Sequence, residues 1–178
     1  MQLEAPVLAT ERLVLRPYQW SDFEAFAAYF ASPRSEFTDG PVSRERAWDM
    51  FAAGAGNWRL VGYGAWSVER RDDGVHLGLV SLNPPMALPE PELGWILWDG
   101  FEGKGYGLEA AQTARDFAFA SLGWRGLLSN IHRRNTRSIR LAERMGCTID
   151  PGVLPPDPAT DRVYRHPAPD DRYNMSSL

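Results

Sequence analysis

Hydrophobic and polar positions follow two rhythms along the chain, and the switches between them mark out its elements. Leu13 and Leu15 alternate with Val14 and Arg16 before Pro17, which predicts a short strand. Phe23, Phe26, Ala27 and Phe30 then recur at three- and four-residue steps, which predicts a helix with Ser21 as N-cap and Glu24 at the capping-box position. Ala47, Met50 and Phe51 predict a second short helix over Ser43–Ala53, after a loop from Ser32 to Pro41. Leu60–Val68 and Val75–Leu82 read as an antiparallel pair, turned by the polar run 69–74. Leu93 to Trp98 is apolar without alternation, which predicts a strand buried on both faces. The helical rhythm returns at Leu108, Ala111, Ala114, Phe117, Ala118 and Leu122. Gly126–His132 reads as a further buried strand, Asn135–Gly146 as a helix, and Thr148-Ile149 and Arg162–Arg165 as closing strand pieces.

Between the central strand and the long helix lies Asp99-Gly-Phe-Glu-Gly-Lys-Gly-Tyr-Gly107, with glycines at 103, 105 and 107. A strand, a glycine-rich loop and a helix N-terminus make an anion site, because backbone N–H groups can point inward and the helix dipole adds positive charge. A magnesium-binding phosphate loop would need Ser or Thr after Lys104, where Gly105 stands. A dinucleotide fingerprint would need glycine at Leu108 and an acidic residue about 20 positions on, where Gly123-Trp-Arg-Gly is found. Both readings fail.

With 178 residues, 44% of them hydrophobic and 24% charged, the sequence fits one globular domain, taken as residues 8–173 between short termini 1–7 and 174–178. No run of about 18 apolar residues is present, so no membrane span is expected. The opening Met-Gln-Leu-Glu-Ala-Pro lacks a basic stretch followed by an apolar one, so the expectation is a cytoplasmic protein without a signal peptide. Cys147 is the single cysteine and is expected to be a buried thiol. The net charge of −4 argues against non-specific nucleic-acid binding and suits an amine-bearing partner. Of 19 basic residues, Lys104 is the one lysine. His76, His132 and His166 are scattered without ligand spacing, so neither a metal site nor a nucleophile triad is indicated. Six prolines stiffen the tail beyond 150, and residues 175–178 are expected to fray.

Three motifs resemble those of the GCN5-related N-acetyltransferase (GNAT) family. Glu102-Gly-Lys-Gly105-Tyr-Gly107 resembles its pyrophosphate loop, Gln/Arg-x-x-Gly-x-Gly/Ala, with Glu102 in place of the Gln or Arg. Thr10-Glu-Arg-Leu-Val-Leu-Arg-Pro17 resembles the opening of its ribosomal-protein N-terminal-acetylating branch. Asn135-Thr-Arg-Ser138-Ile-Arg140 through Gly146-Cys147 resembles the second signature, with Cys147 replacing a phenylalanine and Ala142 at a position where many relatives carry tyrosine.

The resemblance implies an α/β (α+β) fold: a mixed, mostly antiparallel twisted sheet flanked by helices, its central strands splayed at one end. It implies acetyl-CoA as co-substrate, the pantetheine arm meeting backbone at Ile96, Leu97 and Trp98, and the pyrophosphate meeting Gly103, Lys104, Gly105, Tyr106 and Gly107. Asn135 and Arg140 join the coenzyme contacts, and the loop at Phe37 either helps to wall the acceptor pocket or is a plain surface loop. Glu92 is the implied base or water-orienting group, and Ser138, or water, the proton source for the thiolate. Helix capping alone would account for Asn135 and Gly146. Arg133, Arg137, Arg140 and Arg144 would share one helical face, either toward coenzyme phosphates or toward solvent. The implied activity is acetyl transfer to a primary amine on a protein N-terminus or a small molecule, without metal, and a homodimer is left open. A coenzyme-A-binding module that has lost catalysis is the alternative that Glu102 and Ala142 allow.

Overall fold

A computed structural model describes residues 4–167. The expected fraying of 175–178 and the end of the domain at 173 lie outside the described residues. The strands are β1 (Leu8–Ala9), β2 (Leu13–Arg16), β3 (Ala65–Arg70), β4 (His76–Asn83), β5 (Glu92–Leu97), β6 (Leu128–His132), β7 (Thr148–Ile149) and β8 (Asp161–Arg165). The helices are α1 (Phe23–Ala31), α2 (Arg44–Leu60), α3 (Tyr106–Ala120) and α4 (Thr136–Arg144). One sheet runs β1-β2-β3-β4-β5-β6-β8-β7, and every pairing is antiparallel except β5 with β6.

That exception shapes the molecule. β4 and β5 pair along six positions, from Gly78 opposite Leu97 to Asn83 opposite Glu92. β5 and β6 meet only at Glu92 opposite Leu128, and beyond that point the two strands diverge into a wedge.

The main core lies between the sheet and α3, whose Ala111, Ala114 and Ala118 are fully buried against Leu13, Leu15, Val80 and Leu93. Small alanines let the helix lie close to the strands, and Trp58 and Trp66 fill the space toward its far end. A second cluster packs Phe23, Phe26 and Phe30 of α1 against Phe51 of α2, Leu79 and Trp98.

Four expectations need correction. Ser21 does not cap α1. It lies in a 3₁₀ turn, Trp20–Asp22, in which the Asp22 carboxylate accepts the Gln19 N–H at 2.8 Å, while Glu24 pairs with Arg44. Asp22 is itself buried, held by Arg16 and by Ser67 at 2.6 Å. α2 runs on through Gly54 and Gly56 to Leu60, because Trp58 anchors its last turn by donating to Ala65 O at 3.0 Å. β3 therefore begins at Ala65 rather than at Leu60. Finally, β5 is fully buried only at Leu93, with Trp98 buried just past its end; Gly94, Trp95 and Ile96 are half-buried because they border a cavity.

Candidate active site

The loop after β5 turns on left-handed glycines: Gly100 has φ +83°, Gly103 φ +76° and Gly105 φ +84°. Residues with a Cβ rarely adopt such angles, so the glycines are required by the backbone itself. Gly105 is the N-cap of α3, no side chain caps it, and the first intrahelical bond runs from Glu109 N to Gly105 O at 3.1 Å. The N–H groups of residues 106–108 thus lie ahead of the helix's own bonding pattern, the arrangement that holds anions. Gly107 has a different reason. It lies inside the first turn, where a Cβ would stand 3.1 Å from Leu141 Cδ1 and 3.5 Å from Leu97 Cδ1.

The opening motif explains itself at this loop. Glu109, in the first turn of α3, accepts from Thr10 Oγ1 at 2.5 Å and from the Arg12 Nε at 2.7 Å. Arg12 also donates to Lys104 O at 3.0 Å and stacks over the Tyr106 ring, 4.9 Å from its centre. Thr10 and Arg12 therefore clamp the glycine loop to the β1–β2 turn. Lys104 reaches back to Gly100 O and is exposed.

Which backbone groups face the wedge follows from register. Trp98 N donates to Leu77 O at 2.8 Å, and alternation turns the Ile96 backbone toward β4 as well. Leu93, Trp95 and Leu97 turn theirs toward β6: Leu93 O accepts from Ser129 Oγ at 2.6 Å, and Leu97 O from Arg34 at 3.3 Å. Within Ile96–Trp98, only Leu97 presents its backbone to the wedge, and Trp95 joins it.

Arg34, in the 3₁₀ turn Pro33–Ser35, was not singled out from sequence. Its guanidinium bridges Asp99 and Glu102, and Glu102 also takes Arg137 at 3.1 Å. Glu102 thus ties two arginines from separate elements to the loop. Arg140 is exposed. Arg133 precedes α4 and donates to Pro158 O at 2.6 Å, so it does not share a helical face with Arg137, Arg140 and Arg144.

A cavity of about 810 Å³ opens between the wedge, α1, α2 and the segment 156–161. Glu92, Asn135 and Ser138 all line it, as do Phe37 and His132, whose rings stack 4.7 Å apart. Burial pushes the Glu92 carboxyl up to about 7; the N–H of Asn130 opposes the shift, and the nearby Asp39 and Asp161 charges add to it. Asn135 caps α4 by accepting the Ser138 N–H at 3.2 Å, which leaves the Ser138 hydroxyl outside the cap. Gly146, at φ +80°, ends that helix region, with Cys147 N donating to Ala142 O. Ala142 is fully buried in the main core and does not line the cavity.

Cys147 is buried, as expected, and burial raises its thiol to about 11. No helix among the described residues is long and apolar enough to cross a membrane.

Residues 12–148 match the family model for the acetyltransferase (GNAT) domain. The chain is 40% identical to an acetyltransferase of known structure from Agrobacterium tumefaciens, covering 94% of this chain and 97% of that one with a TM-score of 0.88. It is 21% identical to the uncharacterized N-acetyltransferase YnaD of Bacillus subtilis, over 78% of this chain and 81% of YnaD. The fold also matches RimL, a ribosomal L7/L12 alpha-N-protein acetyltransferase solved with coenzyme A, at TM-score 0.71 and 16% identity over 90% and 97% of the two chains. The family model and the Agrobacterium relative together place this chain in the GNAT acetyltransferase family.

Proposed function

We propose that this acetyltransferase moves an acetyl group from acetyl-CoA to a primary amine by direct attack in a ternary complex, with Glu92 as the base. The observation that carries the reading is the Glu92 carboxyl, raised to about 7 in a cavity that meets the open end of the β5–β6 wedge. A base poised near neutrality holds a proton-accepting form without being so weak that it cannot take the proton.

The residues present suit the co-substrate. Gly103 has open space where a side chain would stand, and the cradle at 103–107 with the start of α3 would hold the pyrophosphate. Leu97 and Trp95 would offer backbone groups to the pantetheine arm, and Arg34 and Arg137, which meet the loop through Glu102, would offer charge to the phosphates together with the exposed Arg140. Acetyl-CoA supplies the acetyl group as a thioester. The rest falls to this chain's own groups: a central-strand N–H polarises the carbonyl, and Glu92 accepts the proton shed by the attacking nitrogen, directly or through water. Ser138 hydrogen-bonds the departing sulfur and passes it a proton that water replaces, a role for which Ala142 has no proton to give.

The test is thiol release from acetyl-CoA across a panel of amines, with mass detection of the acetylated product. Coenzyme binding with no acceptor turning over would favour a binding module without catalysis. Turnover of wild type with an unchanged rate in Glu92→Gln would remove Glu92 from the mechanism.

A further inference from the structure

Two asparagines flank Glu92, one from each neighbouring strand. Asn130, on β6, is already engaged: its backbone N–H donates to the Glu92 carboxylate at 3.1 Å and its Nδ2 to Asp161 Oδ2 at 2.7 Å. Asn83, the last residue of β4, stands directly opposite Glu92 in the β4–β5 register. Side chains of a directly opposed pair leave the sheet on one face, with Cβ atoms about 5 Å apart. Both residues line the cavity.

The fold makes no use of the Asn83 amide. Asn83 is half-buried, and its side chain has no hydrogen-bond partner among the described residues. An asparagine before a proline commonly bonds its own backbone to start a turn. The turn after Asn83 is instead closed between backbone groups, Met86 N donating to Pro84 O at 2.8 Å. Gly94 opens the space in which the amide lies. A Cβ there would stand 3.6 Å from Asn83 Nδ2 and 3.1 Å from Ser81 Oγ, so both polar groups lie over the glycine backbone beside Glu92. Farther along the same face the opposed pair is Leu79 and Ile96, both apolar. The polar groups of this wall are thus gathered at the carboxylate rather than spread along the strands.

We propose that Asn83 is a further catalytic residue. Its Oδ1 accepts one N–H of the attacking amine while Glu92, on the facing strand, takes the proton from the same nitrogen. A neutral primary amine has two N–H bonds and one lone pair. With one N–H on Asn83 and the other toward Glu92, the lone pair alone is left for the thioester carbonyl. An amide suits this place, because a second carboxylate opposite Glu92 would repel it and an apolar side chain would orient nothing. The inference rests on the acetyltransferase reading with Glu92 as base and adds the group that aims the nucleophile.

In the transfer itself, the nitrogen lone pair forms the C–N bond, and the C–S bond breaks with its electron pair going to sulfur. Glu92 takes the proton shed by nitrogen, and sulfur takes one from Ser138 that water replaces. Asn83 exchanges no proton and ends the reaction as it began.

The experiment measures kcat and KM against pH for wild type, Asn83→Ala, Asn83→Asp, Glu92→Gln and the double variant Asn83→Ala with Glu92→Gln. Acetyl-CoA is the donor, and butylamine and a short peptide with a free N-terminus are the acceptors. Coenzyme A affinity by calorimetry and the melting temperature report whether each variant is folded. Asn83→Ala should lower kcat about tenfold, the size of one hydrogen bond made in the transition state, with coenzyme A affinity unchanged. Asn83→Asp keeps an acceptor oxygen, so it should recover most of the plateau. It should also move the ionisation seen in kcat/KM up by about one pH unit, because a second carboxylate then faces Glu92. The double variant should be about as slow as Glu92→Gln alone, since both groups act on one nitrogen. A wild-type kcat in Asn83→Ala, or losses that multiply in the double variant, would overturn the role of Asn83 while leaving Glu92 and acetyl transfer in place. An unchanged rate in Glu92→Gln would overturn the base and the shared action together. Wild type that binds coenzyme A and acetylates no amine would overturn the acetyltransferase reading itself.

Discussion

The backbone N–H of Asn130, on β6, donates to the carboxylate of Glu92, on β5, at 3.1 Å. Next to it the strands still touch through their backbones, with Leu128 N bonded to Pro91 O at 3.0 Å. The Glu92 side chain therefore takes over the strand-to-strand bond where the main chains part. The residue proposed as the base is also a fixed part of the wedge.

Activity should follow that carboxyl. With Glu92 raised from 4.5 to about 7, kcat/KM should climb with pH through an ionisation near neutrality, and Glu92→Gln should lower the plateau about a hundredfold. The plateau above the amine's own pKa is the diagnostic quantity, because there the substrate is already deprotonated. Equal plateaus would leave water as the proton acceptor.

Stability should run the other way. Between pH 4.5 and about 7 the native protein keeps a proton on Glu92 that the unfolded chain has lost, so stability falls as pH rises through that window and is level above it. Glu92→Gln should flatten this component and melt higher than wild type at pH 8, by roughly 2 kcal/mol after allowance for residual solvent contact. Denaturant midpoints at pH 5 and pH 8 for both proteins measure it.

The two hydroxyl and amide groups at the start of α4 should separate cleanly. Asn135→Ala removes the cap and should cost about 1 kcal/mol. Ser138 joins that cap through its backbone N–H, so Ser138→Ala should keep the melting temperature and lower kcat with coenzyme affinity intact. Loss of stability without loss of turnover in Ser138→Ala would assign the side chain a purely structural role.

Glycine substitutions in the loop should fail for different reasons. Gly105→Ala forces a Cβ into a left-handed residue, 3.2 Å from the Arg12 guanidinium, and should weaken coenzyme A binding about tenfold, with a stability cost of about 1 kcal/mol. Gly107→Ala instead meets the ends of Leu141 and Leu97, which can move, so its loss should be smaller. Glu102→Gln should tighten coenzyme A several-fold at low salt, because it removes a negative charge from the loop and frees Arg34 and Arg137. Calorimetry at two salt concentrations distinguishes that from a loop that collapses without its carboxylate.

Much of this architecture was legible in the chain because local chemistry and fold agree. The stripe Phe23, Phe26, Ala27, Phe30 is buried as its spacing requires, and the glycine loop adopts the left-handed angles its composition anticipates. What could not be read depends on partners distant in sequence. The spacing of Ala47, Met50 and Phe51 carries a helix only to Ala53, but the burial of Trp58 takes α2 on to Leu60. Arg34 carries no motif, and its role follows from 63 to 68 residues of separation being closed by the fold. Glu109 belongs to no motif, and it holds the Thr10-x-Arg12 motif across a separation of 97 residues. Which of Trp95, Ile96, Leu97 and Trp98 face the wedge was set by register with β4, a fact no single strand contains.

The interior holds one more titrating group, outside the cavity chemistry. Ser129 donates to Leu93 O at 2.6 Å, so its oxygen accepts from His166 Nε2 at 3.0 Å, which leaves His166 Nδ1 to accept the Cys147 thiol at 3.2 Å. The direction of the line is fixed from one end, and it fixes a neutral imidazole with its proton on Nε2. Burial, with the Arg115 charge adding to it, lowers His166 to about 3, against an ordinary 6.5. Between those values the unfolded chain binds a proton that the native protein refuses, so stability rises with pH from about 3 to 6.5 and is level above. His166→Gln should therefore lose acid sensitivity in that window, on the order of 4 kcal/mol at most, while costing stability at pH 7 because Ser129 and Cys147 lose a shaped partner. Ser129→Ala should act at a second place: it unties β6 from Leu93 at the root of the wedge, so coenzyme A affinity should fall along with stability. A variant that melts lower at pH 7 but binds coenzyme A as wild type does would show that the backbone bond at Leu128 and the Glu92 carboxylate hold the wedge without the serine.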